Sequence, residues 1–224
     1  MDRKIKLCVF DLDGTTADTL PSIIYHLNGV LTSHGYPEVP PETHKSLPGG
    51  GARSLFVKVS AMKGYGGIDI DGMTAEWISR YSADPVYLTY PFDGIAAMLR
   101  ELREAGIRTA VLTNKNEVLA RSVVAALYGD LIEKTVGDAP GRALKPDPGE
   151  LLALCSEFGA DPSECIHSGD HMIDIRTAKA AGTFSCGVSW GFNPPEALAA
   201  EGASFIAEKP ADISAAALGG TVYR

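Results

Sequence analysis

Phe10-Asp11-Leu12-Asp13-Gly14-Thr15 closes the first apolar run of the chain and puts two carboxylates two positions apart where a strand should end. Residues i and i+2 of a strand point to one side, so Asp11 and Asp13 are expected to share a face while Leu12 packs the other way. Gly14 permits a tight turn, and Thr15 brings a hydroxyl. Such a pair suits phosphoryl transfer to an aspartate nucleophile; alone, the hexapeptide is also readable as a strand followed by an Asp-Gly turn.

Outward from this point the chain changes rhythm twice. From Arg108 onward, strand-like runs (Thr109 to Leu112, Cys165 to Ser168, Phe184 to Val188) alternate with segments of helical spacing. Ile95, Met98, Leu99 and Leu102 form one such stripe, and Leu151, Leu152, Cys155 and Phe158 another. Asp93 and Asn116 are expected to cap helices, and Gly106 and Gly182 to end them. Alternation of this kind predicts an α/β fold, a mainly parallel sheet with helices on both faces, whose sites lie at the carboxyl ends of the strands. Residues 16–90 break the pattern, with a helical stripe (Leu20, Ile23, Ile24, Leu27, Leu31), two glycine-rich pieces and no convincing buried strand. The expected organisation is a core of residues 1–15 plus 91–224, with a small α-helical domain at 16–90 and a return linker from Pro85 to Pro91.

Three further segments fall where strands should end. Val111-Leu112 runs into Thr113-Asn114-Lys115, which sets a hydroxyl near a helix N-terminus, suited to a phosphate oxygen or to a plain cap. Leu144-Lys145-Pro146-Asp147-Pro148 sets a lysine before a rigid Pro-x-Pro element that opens a helix; a solvated lysine fits there too. Cys165 to Ser168 leads into Gly169-Asp170-His171-Met172-Ile173-Asp174, a second pair of acids, one of which a helix cap would also explain. Acids gathered at one sheet edge repel, since two unit charges about 4 Å apart cost about 4 kcal/mol at an effective dielectric near 20. Hard carboxylate oxygens without clustered His or Cys point to Mg²⁺ as the compensating ion.

Composition narrows the partners. A net charge of −8 over 224 residues argues against nucleic acid or an anionic membrane surface as partner, so a phosphorylated substrate must be held by local positive charge. Cys8, Cys155, Cys165 and Cys186 lack zinc-ligand spacing and read as buried apolar residues of a reducing compartment. Met1-Asp2-Arg3-Lys4 leads directly into the first apolar run, too short for a signal core or a membrane span, so a cytoplasmic location is expected.

The ordered set Asp11-Leu12-Asp13-Gly14-Thr15, Thr113-Asn114-Lys115, Lys145-Pro146 and Gly169-Asp170 with Asp174 resembles the haloacid dehalogenase-like hydrolases across the whole chain. The resemblance implies a Rossmann-like core with a helical cap inserted after the first motif. It implies Asp11 as nucleophile, Asp13 as general acid and base, and Thr113 and Lys145 as holders of the phosphoryl group. Asp11, the backbone carbonyl of Asp13, and Asp170 would bind Mg²⁺, with Asp174 supporting it through water.

Asp13 argues against the dehalogenase and phosphonoacetaldehyde hydrolase branches, which lack an acid there. Asn114-Lys115 after Thr113, the segment Gly49-Gly50-Gly51-Ala52 and Val188-Ser189-Trp190-Gly191-Phe192 look like the phosphoglycolate phosphatase branch. That likeness implies a small phosphorylated metabolite as substrate, contacted by Asn114, Gly50 and Gly51. Arg53 is the candidate for a substrate carboxylate, a solvated arginine being the other reading. His171 stands where the branch has serine, and a role in packing or beside the metal's ligands is expected for it rather than ligation itself. A pyrophosphatase, a sugar-phosphate or nucleotide phosphatase, a phosphomutase and a non-enzymatic phospho-accepting receiver remain as alternatives, and the chain is expected to act as a monomer or homodimer.

Overall fold

The structure, a computed structural model, describes residues 4–219; Met1, Asp2 and Arg3 of the amino-terminal reading lie outside the described residues. The chain begins with β1 (Leu7–Phe10) and β2 (Ala17–Asp18), passes through α1 (Leu20–Ser33), α2 (Ala52–Lys63) and α3 (Ile70–Ala83), and returns along β3 (Tyr90–Pro91). It continues as α4 (Ile95–Glu104), β4 (Arg108–Asn116), α5 (Glu117–Tyr128), β5 (Lys134–Asp138), α6 (Gly149–Glu157), β6 (Cys165–Gly169) and α7 (Met172–Ala181). The last elements are β7 (Phe184–Val188), α8 (Pro195–Ala200), β8 (Phe205–Ala207) and α9 (Pro210–Gly219).

Six strands form one sheet in the order β5-β4-β1-β6-β7-β8, every neighbouring pair parallel. Counting only these strands, the order is 3-2-1-4-5-6, the doubly wound Rossmann arrangement in which ligands bind where the winding reverses, here beside β1 and β6. Because β1 is covered on both sides, it reads as a continuous apolar run. Cys8 and Phe10 join the cluster under α4, α5 and α9, while Leu7 and Val9 face Leu151, Leu154 and Cys155 of α6. All four cysteines are free and buried, as their apolar settings imply.

β5 and β8 escape the sequence pattern. β5 offers only Val136 as a large apolar residue and closes one edge of the sheet, and β8 is three residues long at the other. Asn116 caps α5 as expected, its side chain accepting from the N–H groups of Val118 and Leu119. Asp93 does not cap α4: that position falls to Gly94 at φ 89°, which turns the exposed chain into the helix without a side-chain cap. Leu152 is exposed, so the buried stripe of α6 is Leu151, Leu154 and Cys155.

The helices between β2 and β3 build a hydrophobic cluster of their own. Leu27, Val30, Leu31, Phe56, Val59, Met73, Trp77 and Tyr81 pack together, with Leu119 of α5 reaching in from the sheet side. Departing and returning chains meet as the antiparallel β2–β3 pair, Ala17 opposite Pro91 and Asp18 opposite Tyr90. This ribbon is the strand content that the sequence pattern of residues 16–90 did not reveal. No helix among the described residues is long and apolar enough to cross a membrane.

Phe56 is fully buried at the centre of the second cluster. Phe56→Ala is expected to destabilise by about 3–5 kcal/mol, read as a lowered urea midpoint.

Candidate active site

Four strand ends converge where the sheet order reverses. Asp11 follows β1, and its N–H donates to the Ser168 carbonyl of β6 (2.8 Å), which locks the two strand tips together. The next turns wrap tightly, with the N–H groups of Thr15, Thr16 and Ala17 all directed at the Leu12 carbonyl. Gly14 takes φ 80°, and the Asp170 carboxylate occupies the space where a side chain at this position would begin. Leu12 is fully buried, whereas Asp11 and Asp13 both face the cleft, as the i, i+2 argument requires.

Asp11, Asp170 and Asp174 each bring a carboxylate oxygen within 4.8 Å of the others. Asp170 accepts from the Thr15 hydroxyl (3.1 Å) and the Phe192 N–H (2.8 Å). Asp174 opens α7 and accepts from the His171 N–H (3.1 Å), closing a capping box in which His171 Nδ1 accepts from Ile173 N–H. Lys145 supplies the balancing charge: its ammonium lies 2.6 Å from Asp174, 3.0 Å from Asp11 and 2.9 Å from the Leu112 carbonyl. Asn114 fixes the Lys145 backbone from both sides, accepting from its N–H (2.8 Å) and donating to its carbonyl (3.0 Å).

One ammonium does not neutralise three acids. Burial, then the neighbouring charges of Asp11 and Asp174, push the Asp170 carboxyl up to about 8. Burial also raises Asp11 to about 6, against the pull of Lys145. Asp174 is buried too, yet Lys145 and His167 hold it well below the usual carboxylate range. Three hard oxygen donors with no thiolate, left under-compensated, fit Mg²⁺.

The cleft above this floor encloses about 590 Å³ of empty space, its open mouth included. Asp11, Asp13, Thr113, Asn114 and Asp170 line it from the sheet side, and Lys45, Gly49, Gly51, Leu55 and Trp77 from the helical insertion. Thr113 comes to the cleft because β4 and β5 lose register between Leu112 and Asn116, freeing residues 113–115 from the ladder. Asn114 also donates to the Gly49 carbonyl (3.1 Å), tying the glycine loop to the sheet edge. Lys58 steadies the same loop by donating to the carbonyls of Ser46, Leu47 and Pro48.

Two expected contacts are displaced. Arg53 does not face the cleft: it points outward from α2, where its Nε donates to Asp71 (2.7 Å), because the buried face of that helix is Ala52, Leu55, Phe56 and Val59. Gly50 is exposed and faces Ser54, so Gly49 and Gly51 line the cleft in its place. Three residues were missed by sequence reasoning. Thr15 bonds Asp170 and holds Trp190 through its carbonyl (2.9 Å). Lys115 reaches Asp13, and Tyr81 reaches Lys115 from α3. Thr15 and Lys115 carried a signal as members of the strand-end motifs; Tyr81 carried none.

A model of the haloacid dehalogenase-like hydrolases matches residues 5–182. The chain is 31% identical over 212 residues to an N-acetylmuramic acid 6-phosphate phosphatase of Pseudomonas aeruginosa, covering 94% of this chain and 93% of that protein. It is 33% identical over 195 residues to a phosphoglycolate phosphatase of Rhodospirillum rubrum, covering 84% of this chain and 81% of that one. The crystal structure of a predicted phosphoglycolate phosphatase from Haemophilus somnus shares the fold with a TM-score of 0.84 at 24% identity, over 93% of this chain and 96% of that chain.

The raised carboxyls set a sign for pH dependence. An acid whose folded value lies above its unfolded one, near 4, contributes stability at low pH that is lost as pH rises through the folded value. Burial holds His26, His167 and His171 below their ordinary value, which favours the fold as pH rises toward about 6.5, so the loss from Asp170, at about 8, is predicted to show in chelator-treated protein between about pH 6.5 and pH 8. Added Mg²⁺ is expected to raise Tm more at about pH 8 than at about pH 5. Differential scanning fluorimetry checks both, and a flat profile indifferent to Mg²⁺ would count against a shared ion. By its matched sequence and its fold together, the chain belongs to the haloacid dehalogenase-like hydrolases and is an enzyme of their phosphatase side.

Proposed function

We propose that this protein hydrolyses small phosphomonoesters through a phosphoryl-aspartate on Asp11. The observation that carries the reading is the convergence of Asp11, Asp170, Asp174 and Lys145 at the sheet's reversal point beneath a cleft. Asp11 attacks phosphorus in line, and the bond from phosphorus to the leaving oxygen breaks. Asp13 gives a proton to that oxygen, then takes one from the water that cleaves the acyl phosphate. General acid-base help of this kind is worth about 10²- to 10⁴-fold. The Thr113 hydroxyl and the Lys145 ammonium hold equatorial phosphoryl oxygens. Asp11, Asp170 and the backbone carbonyl of Asp13 would hold Mg²⁺, with Asp174 in support; when bound, the ion offsets carboxylate charge and polarises the phosphoryl oxygens.

Residues 16–90 are proposed to act as a cap whose seating excludes water from this chemistry. The first substrate choice is 2-phosphoglycolate, in line with the phosphoglycolate phosphatase relatives. A second reading is a bulkier carboxylated sugar phosphate. An apolar wall of Ile23, Leu55 and Trp77, with Lys45 among the lining residues, favours it. The N-acetylmuramic acid 6-phosphate phosphatase relative supports that alternative. A receiver-type role is disfavoured, since a phospho-accepting module needs no enclosed substrate cleft.

The test is phosphate release from a panel containing 2-phosphoglycolate, N-acetylmuramic acid 6-phosphate, pyrophosphate, nucleotides and hexose phosphates, with Mg²⁺ and with chelator. Mg²⁺-dependent turnover of a carboxylated phosphomonoester is expected. Asp11→Asn should reduce release to background and leave no acid-stable phosphate on the peptide containing residue 11. Full activity of that variant, with deamidation excluded by mass spectrometry, would refute the reading.

A further inference from the structure

Lys115 is nearly as deeply buried as Lys145, yet the scheme above gives it nothing to do. It sits in the stretch of β4 freed from the ladder, and its ammonium makes a forked contact with Asp13, 3.1 Å to one carboxylate oxygen and 3.4 Å to the other. Its side chain is 2% exposed. From the opposite side comes Tyr81 of α3: its hydroxyl lies 3.3 Å from the ammonium, and its ring centroid 4.4 Å away. Tyr81 is itself immobilised, stacked on His26 (4.8 Å between centroids) and met edge-on by Trp77 (5.0 Å). Trp77 in turn donates to the Ile23 carbonyl of α1 (3.3 Å). One cation thus joins the carboxylate at the end of the opening motif to the aromatic stack of the insertion.

Resting on the reading of Asp13 as general acid and base, we infer that Lys115 is a positioning residue, aiming the Asp13 carboxyl at the leaving oxygen while Tyr81, and with it the insertion, is seated. The geometry gives the reason. An ammonium committed to one carboxylate settles at about 2.7–2.9 Å. Shared with a phenol and a ring, Lys115 instead holds both Asp13 oxygens at longer range, fixing the plane of the group without occupying it fully. Withdrawal of the insertion removes Tyr81 from Lys115, and the aim of Asp13 is lost with it. The acid is then set in place in the enclosed arrangement, where water is excluded, and not in the open one.

The test separates leaving groups. An alkyl phosphate needs a proton on its departing oxygen, whereas p-nitrophenolate departs without one. In single-turnover experiments with enzyme in excess and Mg²⁺ present, Lys115→Met is expected to slow alcohol release from an alkyl phosphate by about 10²-fold, within the range of general acid catalysis, while p-nitrophenol release keeps its wild-type rate. In an Asp13→Asn background the same change should add nothing, because both residues act through one group. Tyr81→Phe, which keeps the ring and removes only the hydroxyl, should slow alcohol release from the alkyl phosphate by a smaller factor and leave p-nitrophenol release unchanged, and it decides the matter if Lys115→Met does not fold. Equal slowing of both leaving groups, slowing of neither, or an additive effect with Asp13→Asn overturns the inference while leaving the phosphatase reading intact. Wild-type protein that releases neither alcohol nor p-nitrophenol overturns that reading, and this inference with it.

Discussion

The buried ammonium of Lys145 is the contact on which the carboxyl edge of the sheet depends. Two of the three neighbouring acids lean on it directly, at 3.0 and 2.6 Å, in surroundings where water cannot share the load. Removing one member of a buried pair strands the other charge, a larger loss than the pair's own net contribution. The protein therefore fixes this lysine through its backbone, clasped by Asn114, as well as through its side chain. Asp170 stands outside the pair and meets only neutral donors, Thr15 and the Phe192 N–H. That imbalance leaves the acidic triad under-compensated, unlike a closed ion-pair network.

Charge compensation at the floor and apolar packing in the insertion meet at few points. Asn114 reaches the Gly49 carbonyl, and the His171 ring packs so closely on Gly49 that a side chain there would collide with it. Lys115 reaches Tyr81. Every one of these links begins from a residue adjacent to the acidic cluster and ends on the loop or helix covering it. The acidic cluster and the covering helices are consequently joined by direct contact, with no intermediary.

The fold was largely legible because the doubly wound sheet writes itself into the chain as buried runs with short motifs at their ends. Asp11, Thr113 and Asp170 come to one place because the tips of β1, β4 and β6 lie on one edge of a parallel sheet, while Lys145 and Asp174 reach it from the loop after β5 and the first turn of α7, which the resemblance implies and the strand pattern does not. β5 was not legible, since an edge strand with a single large apolar residue has no pattern to show. Arg53 carries two readings in the sequence, and the helical period of Ala52, Leu55, Phe56 and Val59, which turns residue 53 outward onto Asp71, favours the solvated one. Lys115 and Tyr81 could not be paired from sequence, because their meeting depends on how the insertion docks. Asp93 lost its capping role to Gly94 through a left-handed turn that a one-residue difference in sequence does not announce.

The chain contains two tryptophans, and they stand in different surroundings. Trp77 lines the cleft wall from the insertion, whereas Trp190 donates to the Thr15 carbonyl and packs against the sheet core. Indole emission from a version that keeps only Trp77 therefore reads the covering side of the cleft, and one that keeps only Trp190 reads the packing behind the opening motif.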